Sequence, residues 1–152
     1  MAIEIERRFL VAGEFPRDNG ATVRQGFLSV DPDRTVRVRI SGEKAWLTIK
    51  SRGEGIARLE FEYEIPASDA SQLLDLTVGH KIDKTRYLVP FEGHTWEVDE
   101  FHGANDGLVI AELELDSEAE RFARPPWLGA EITDDLRYTN STLADNPYSN
   151  WK

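Results

Sequence analysis

Leu59-Glu60-Phe61-Glu62-Tyr63-Glu64-Ile65, closed by Pro66, alternates apolar and acidic residues with a period of two. Successive side chains of a strand point to opposite faces. The stretch therefore reads as a strand with Glu60, Glu62 and Glu64 on one face and an apolar row on the other. The same alternation recurs on both sides of it. Upstream are residues 3–9, 25–30, 35–40 and 44–50, the last two joined across Ser41-Gly42-Glu43, which predicts a hairpin. Downstream are residues 85–89, 95–101 and 109–115. About eight strands linked by short turns fit an antiparallel sandwich or barrel.

Helical signals are few. Ser68 or Asp69 caps a predicted helix that runs through Leu74 and ends near Gly79. Ser117 caps a second one over 118–122, stopped by Pro125-Pro126. Residues 127–152 have helical and turn character with weak periodicity. With no repeat or linker, the chain reads as a single α+β domain, mainly β, over residues 1–152.

Composition narrows the function classes. The 152 residues carry a net charge of −10, which disfavours a nucleic-acid binder resting on a positive face but leaves room for a locally positive site. The absence of cysteine removes disulfides, thiolate nucleophiles and Cys-ligated metals, and suits a reducing cytoplasm. The charged N-terminus reads as neither a signal peptide nor a membrane span, so the sequon Asn140-Ser141-Thr142 reads as chance. Neither a P-loop, a G-x-G-x-x-G fingerprint nor a G-x-S-x-G elbow occurs. His80, His94 and His102 sit near glycines in expected turns and read as exposed. Trp46, Trp96, Trp127 and Trp151 read as packing residues on an outer apolar face or in the elements that cover it.

The charges are sorted by sign. Glu4, Glu6 and Arg8 share a strand face, as do Glu97 with Asp99 and Glu112 with Glu114; Arg37 with Arg39 and Lys84 with Arg86 form basic pairs. An ordinary solvated face gains nothing from like charges two apart. If the sheet closes into a barrel, charged faces lining a wet interior leave the apolar faces free to meet covering elements outside. Buried charge of this density is offset only by ions or ligands. Clustered carboxylates bind hard divalent cations, and Arg and Lys grip phosphate oxygens, so the two together predict a polyphosphate bridged to metal.

The run Glu4-Ile5-Glu6-Arg7-Arg8-Phe9 resembles the ExExK signature of the CYTH, or triphosphate tunnel metalloenzyme, superfamily. The likeness continues in order through Arg24-Gln25-Gly26-Phe27, Val36-Arg37-Val38-Arg39, Leu47-Thr48-Ile49-Lys50, Arg58, Glu60-Phe61-Glu62, Lys84-Thr85-Arg86-Tyr87, Glu97-Val98-Asp99, Glu112-Leu113-Glu114 and Arg137-Tyr138-Thr139-Asn140. The resemblance implies an eight-stranded closed tunnel with helices packed outside. It also implies Mg²⁺ or Mn²⁺, and hydrolysis of a linear triphosphate, inorganic tripolyphosphate first among them, by metal-activated water. It implies that Glu4, Glu6, Glu112 and Glu114 hold metal, with Glu60, Glu62 and Asp99 completing the acidic side. Arg8, Arg24, Arg37, Arg39, Lys50, Arg58, Lys84 and Arg86 would grip phosphate, Lys84 and Arg58 would also act in catalysis, and Arg137 would close the site. Arg8 stands where the signature has lysine, and Phe27 where some bacterial relatives carry tyrosine; neither change removes a metal ligand. An adenylate cyclase, a nucleoside or thiamine triphosphatase, and a non-catalytic polyphosphate-binding module remain open on the same fold, as does a homodimer. A calycin-like barrel for an apolar ligand is the rival architecture, and it requires Glu4 and Glu112 on the outside.

Overall fold

Alternating strands with short turns close on themselves in the computed structural model, which describes residues 3–53 and 56–151. The strands β1 (Ile3–Val11), β2 (Ala21–Ser29), β3 (Arg34–Ser41), β4 (Lys44–Ser51), β5 (Ala57–Ile65), β6 (Val78–Phe91), β7 (His94–Phe101) and β8 (Val109–Glu114) follow the spatial order β5-β4-β3-β2-β6-β7-β8-β1. Pairing of β1 with β5 completes an antiparallel eight-stranded barrel, and a short ninth strand, β9 (Leu128–Glu131), adds to β1. The β3–β4 hairpin forms as expected, with Ser41 opposite Lys44 across Gly42, whose φ is 61°. The β6–β7 hairpin turns through Glu92 and Gly93, both at positive φ, as a two-residue turn matched to strand twist requires.

Register fixes the faces. Residues directly opposite one another share a side of the sheet. The pairs Arg37↔Thr48, Arg39↔Trp46, Lys50↔Glu60, Thr48↔Glu62, Arg86↔Asp99, Glu97↔Glu112, Arg8↔Glu112 and Glu6↔Glu114 therefore form one continuous inner surface. Glu4 and Glu112 face inward, which rules out the barrel built for an apolar ligand.

The apolar faces pack outside. Phe9, Trp96, Val98, Leu113 and Trp127 form one buried cluster against the 115–128 segment. Helix α1 (Ala67–Leu74) lays Ala70 and Leu74 on Val38 and Ala45. The third cluster is different, because its barrel members point inward. At one end of the bore Leu10, Ile110, Phe101, Ile82 and Phe27 replace the charges along their strands, and they pack with Ile132 and with Leu143 and Ala144 of helix α2 (Asn140–Asp145).

Several expectations are corrected. Residues 118–122 form no helix. The Glu120 carboxylate accepts from the Asp116 amide at 2.6 Å and meets His94 Nε2 at 2.7 Å, while Phe122 stacks edge-on against Phe9 and Trp96, so the chain is held by tertiary contacts in a turn. Helix α1 starts after Pro66 with no side-chain cap and stops at Leu74, because Gly79 already belongs to β6. Strands β2 and β6 are longer than read, and β9 was not anticipated. Trp46 lies on the inner surface rather than the outer, paired with Arg39, whose guanidinium stacks 5.0 Å over its ring.

Candidate active site

The charged faces enclose a cavity of about 750 Å³. Its basic side is supplied by Arg37 and Arg39 of β3, Lys50 of β4, Arg58 of β5, and Lys84 and Arg86 of β6, with Arg8 entering from β1. Its acidic side is supplied by Glu4 and Glu6 of β1, Glu60 and Glu62 of β5, Glu97 of β7, and Glu112 and Glu114 of β8. Period-two strands deliver one such side chain every second residue, which is why so many charges converge on one cavity.

Three predicted residues are not brought in. Arg24 pairs across the sheet with Asp83 on the outer face, at 3.6 Å. Arg137 is turned to solvent, where it clasps Asp135 at 2.8 Å and lies over the rings of Tyr138 and Trp151. Asp99 faces inward but is sealed behind two cations, accepting from Lys84 at 2.8 Å and from Arg86 at 2.7 and 2.8 Å.

The carboxylates divide by company. Burial disfavours the Asp99 charge, but Arg86 and Lys84 overcome it and hold the group far below the usual range. Glu112 behaves alike. Burial opposes ionisation, and Arg8 Nε at 3.0 Å with Arg86 Nη2 at 3.0 Å pull its pKa down to about 2. Glu4 is gripped by Lys50 at 2.9 Å and Arg58 at 3.3 Å, which outweigh its burial and lower its pKa. Glu6 is left out. Burial, then the charges of Glu112 and Glu4, raise it well above its ordinary value, and Arg8 is no nearer than 4.0 Å. Glu97 is also raised, by burial ahead of the Glu112 and Asp99 charges.

Carboxylate oxygens of Glu6, Glu97 and Glu112 lie within 4.8 Å of one another. All-oxygen donors of high charge density suit a hard divalent cation; burial and the shared Glu112 charge raise Glu6 and Glu97, the latter even with Arg86 Nη1 at 3.1 Å. The residues fit the metal the resemblance implies.

On the basic side the guanidiniums are only partly used. Arg37 Nη2 reaches Thr48 at 3.2 Å and Arg39 Nη2 reaches Glu62 at 3.4 Å, but both Nε atoms are buried without a partner. Burial, with Arg39 and Arg86 close by, lowers the Arg37 pKa. Lys84 is fully enclosed, and burial takes it down to about 8 despite the pull of Asp99. Such a surface has unspent donors for an anion.

Two contributors escape a sequence reading of the site. Glu97 is legible only as the face-mate of Asp99, yet it is Glu97 that lines the cavity beside Glu6 and Glu112. Asn140, at the start of α2, lines the cavity and accepts from Gln25 Nε2 at 2.7 Å and Lys84 Nζ at 3.2 Å. The resemblance includes Asn140 in the stretch 137–140 but gives it no role, and its weakly periodic segment does not reveal one.

Known proteins are similar to this chain in sequence and fold. Residues 2–146 match the CYTH domain. An inorganic triphosphatase of Acetivibrio thermocellus is 49% identical over 155 residues, covering 100% of this chain and 99% of that protein. An inorganic triphosphatase of Nitrosomonas europaea is 40% identical over 147 residues, covering 93% and 96%. A crystal structure of an inorganic triphosphatase superposes with a TM-score of 0.67 at 36% identity, covering 92% of this chain and 96% of that one. A domain match over nearly the whole sequence, relatives of this identity and a barrel with charges turned inward lead to one assignment: the chain belongs to the CYTH domain family.

Proposed function

We propose that this protein hydrolyses a linear inorganic triphosphate to diphosphate and phosphate in a reaction that depends on Mg²⁺ or Mn²⁺. The observation that carries the reading is the pairing, in one cavity, of an under-compensated carboxylate group with a wall of partly unpartnered guanidiniums. The two inorganic triphosphatases of similar sequence support it.

Arg37, Arg39 and Arg86 bind the non-bridging phosphate oxygens through their planar guanidinium donors. Lys84 adds a point charge whose direction is fixed by Asp99 and Asn140. Lys50 and Arg58, bound to Glu4, stand where the basic and acidic sides meet and orient the chain of phosphates between them. Glu6, Glu97 and Glu112 would hold the cation, which when bound supplies positive charge to phosphate oxygens and makes water a better nucleophile. Water adds to a terminal phosphorus, the P–O–P bridge breaks, and the departing diphosphate leaves with charge stabilised by the arginines. No side chain needs to form a covalent intermediate.

Phosphate release from tripolyphosphate and from ATP, with Mg²⁺, Mn²⁺ or EDTA, tests the reading. Metal-dependent release favouring tripolyphosphate, reduced about a hundredfold or more in Glu6→Gln, is expected. Release that survives EDTA, or that Glu6→Gln leaves intact, overturns it.

A further inference from the structure

Asn140 is one of the C-terminal residues that line the charged interior, and it bonds the buried Lys84. Its Oδ1 accepts from two donors at once, Gln25 Nε2 at 2.7 Å and Lys84 Nζ at 3.2 Å. An ammonium has three donors and no acceptor, so Lys84 dictates which end of the Asn140 amide faces it. That in turn dictates the orientation of Gln25, whose own Oε1 is left buried without a partner although the residue is fully enclosed. An unpartnered buried acceptor is costly, so Gln25 is committed to its bond with the Asn140 oxygen at the expense of its own Oε1. With Oδ1 committed, Nδ2 is the free end of the amide, and it donates to no acceptor among the described residues although Asn140 lines the cavity.

We propose that Asn140 is a phosphate-binding and positioning residue: its Nδ2 donates to a non-bridging oxygen of the substrate while its Oδ1 holds Lys84 on the same phosphoryl group. This rests on the triphosphatase reading and adds to it a neutral donor supplied from outside the barrel strands. The two roles use opposite ends of one amide, so substitutions separate them. Asp keeps an oxygen for Lys84 and Gln25 but replaces the donor with a second oxygen that repels phosphate. Ser offers a hydroxyl that accepts and donates. Ala offers neither.

The experiment measures steady-state phosphate release from tripolyphosphate with Mg²⁺ for wild type, Asn140→Asp, Asn140→Ser and Asn140→Ala. It is joined by calorimetric titration of tripolyphosphate into each protein without metal, and far-ultraviolet circular dichroism identifies any variant that fails to fold. Asn140→Asp is expected to raise KM and weaken metal-free binding about tenfold to a hundredfold. Asn140→Ala should lower kcat as well as raise KM, and Asn140→Ser should recover most of the loss. Folded Asn140→Asp or Asn140→Ala with wild-type KM and wild-type affinity overturns the assignment. If wild type releases no phosphate, the triphosphatase reading fails, and the metal-free titrations still decide whether Asn140 contacts the triphosphate.

Discussion

Asp99 and Glu6 are both carboxylates turned into the barrel, and they live opposite lives. Asp99 is enclosed by Lys84 and Arg86 and held far below the ordinary carboxylate range. Glu6 has Glu97 and Glu112 beside it and no cation nearer than Arg8 at 4.0 Å, and burial with the charges of Glu112 and Glu4 holds it well above that range. The first makes an internal structure of ions that keeps two cations in place. The second lacks such a counter-ion, and in the proposed reaction a divalent cation would supply it. Charge type and strand spacing are the same for both; what differs is the cations within reach of each.

The largest effect is expected from breaking the scaffold. Asp99→Ala leaves Lys84, which is 2% exposed, without its counter-ion, and should destabilise the protein by about 3–5 kcal/mol in urea titration. A loss under about 1 kcal/mol would mean that Lys84 finds relief elsewhere and that the contrast is overstated.

Glu6→Gln should act in the opposite direction. In metal-free buffer near neutral pH it removes a repelled, enclosed charge, and stability should rise by about 1 kcal/mol, or about 2–4 °C in Tm. The stabilisation that Mg²⁺ gives wild type should disappear in the variant. The pH dependence has a defined sign. A folded pKa above the unfolded value of 4.5 gives Glu6 a contribution that is complete below 4.5 and lost as pH rises through the raised value. Glu112, lowered to about 2, contributes fully above 4.5 and loses that contribution as pH falls from 4.5 to about 2. Wild type without metal should thus be most stable in mild acid, and Glu6→Gln should flatten only the descent toward neutral pH. A variant whose melting profile parallels wild type at every pH would break the comparison.

The smallest effect belongs to Arg24, whose basic charge looks like a phosphate grip in sequence and whose partner is an exposed aspartate. Arg24→Ala should leave phosphate release within about twofold of wild type and stability within about 0.5 kcal/mol.

Most of the barrel was legible because inner and outer residues alternate, and Glu60, Glu62 and Glu64 mark their strand as plainly as Arg37 and Arg39 mark theirs. Legibility failed where parity was ambiguous. In Arg24-Gln25-Gly26-Phe27 the charge suggests one face, yet pairing of Gln25 with Arg39 and of Phe27 with Arg37 turns the other face inward. Trp46 was misread for the converse reason, since an apolar ring was assigned outside while register set it beside Arg39. The 118–122 segment has helix-compatible residues, but Phe122 is claimed by Phe9 and Trp96, which are remote in sequence. Which carboxylates are compensated depends on side chains reaching across several strands, and spacing along one strand holds no record of that.

Among the described residues the ring of strands is joined between its first and fifth members by just three pairs, Ile3↔Leu59, Glu4↔Arg58 and Ile5↔Ala57. A cylinder opens at its shortest seam, and this one is stitched on the inside by Glu4 with Arg58 and Lys50. Those ion pairs bridge the seam from within, so part of the charge that lines the cavity is also the clasp of the barrel.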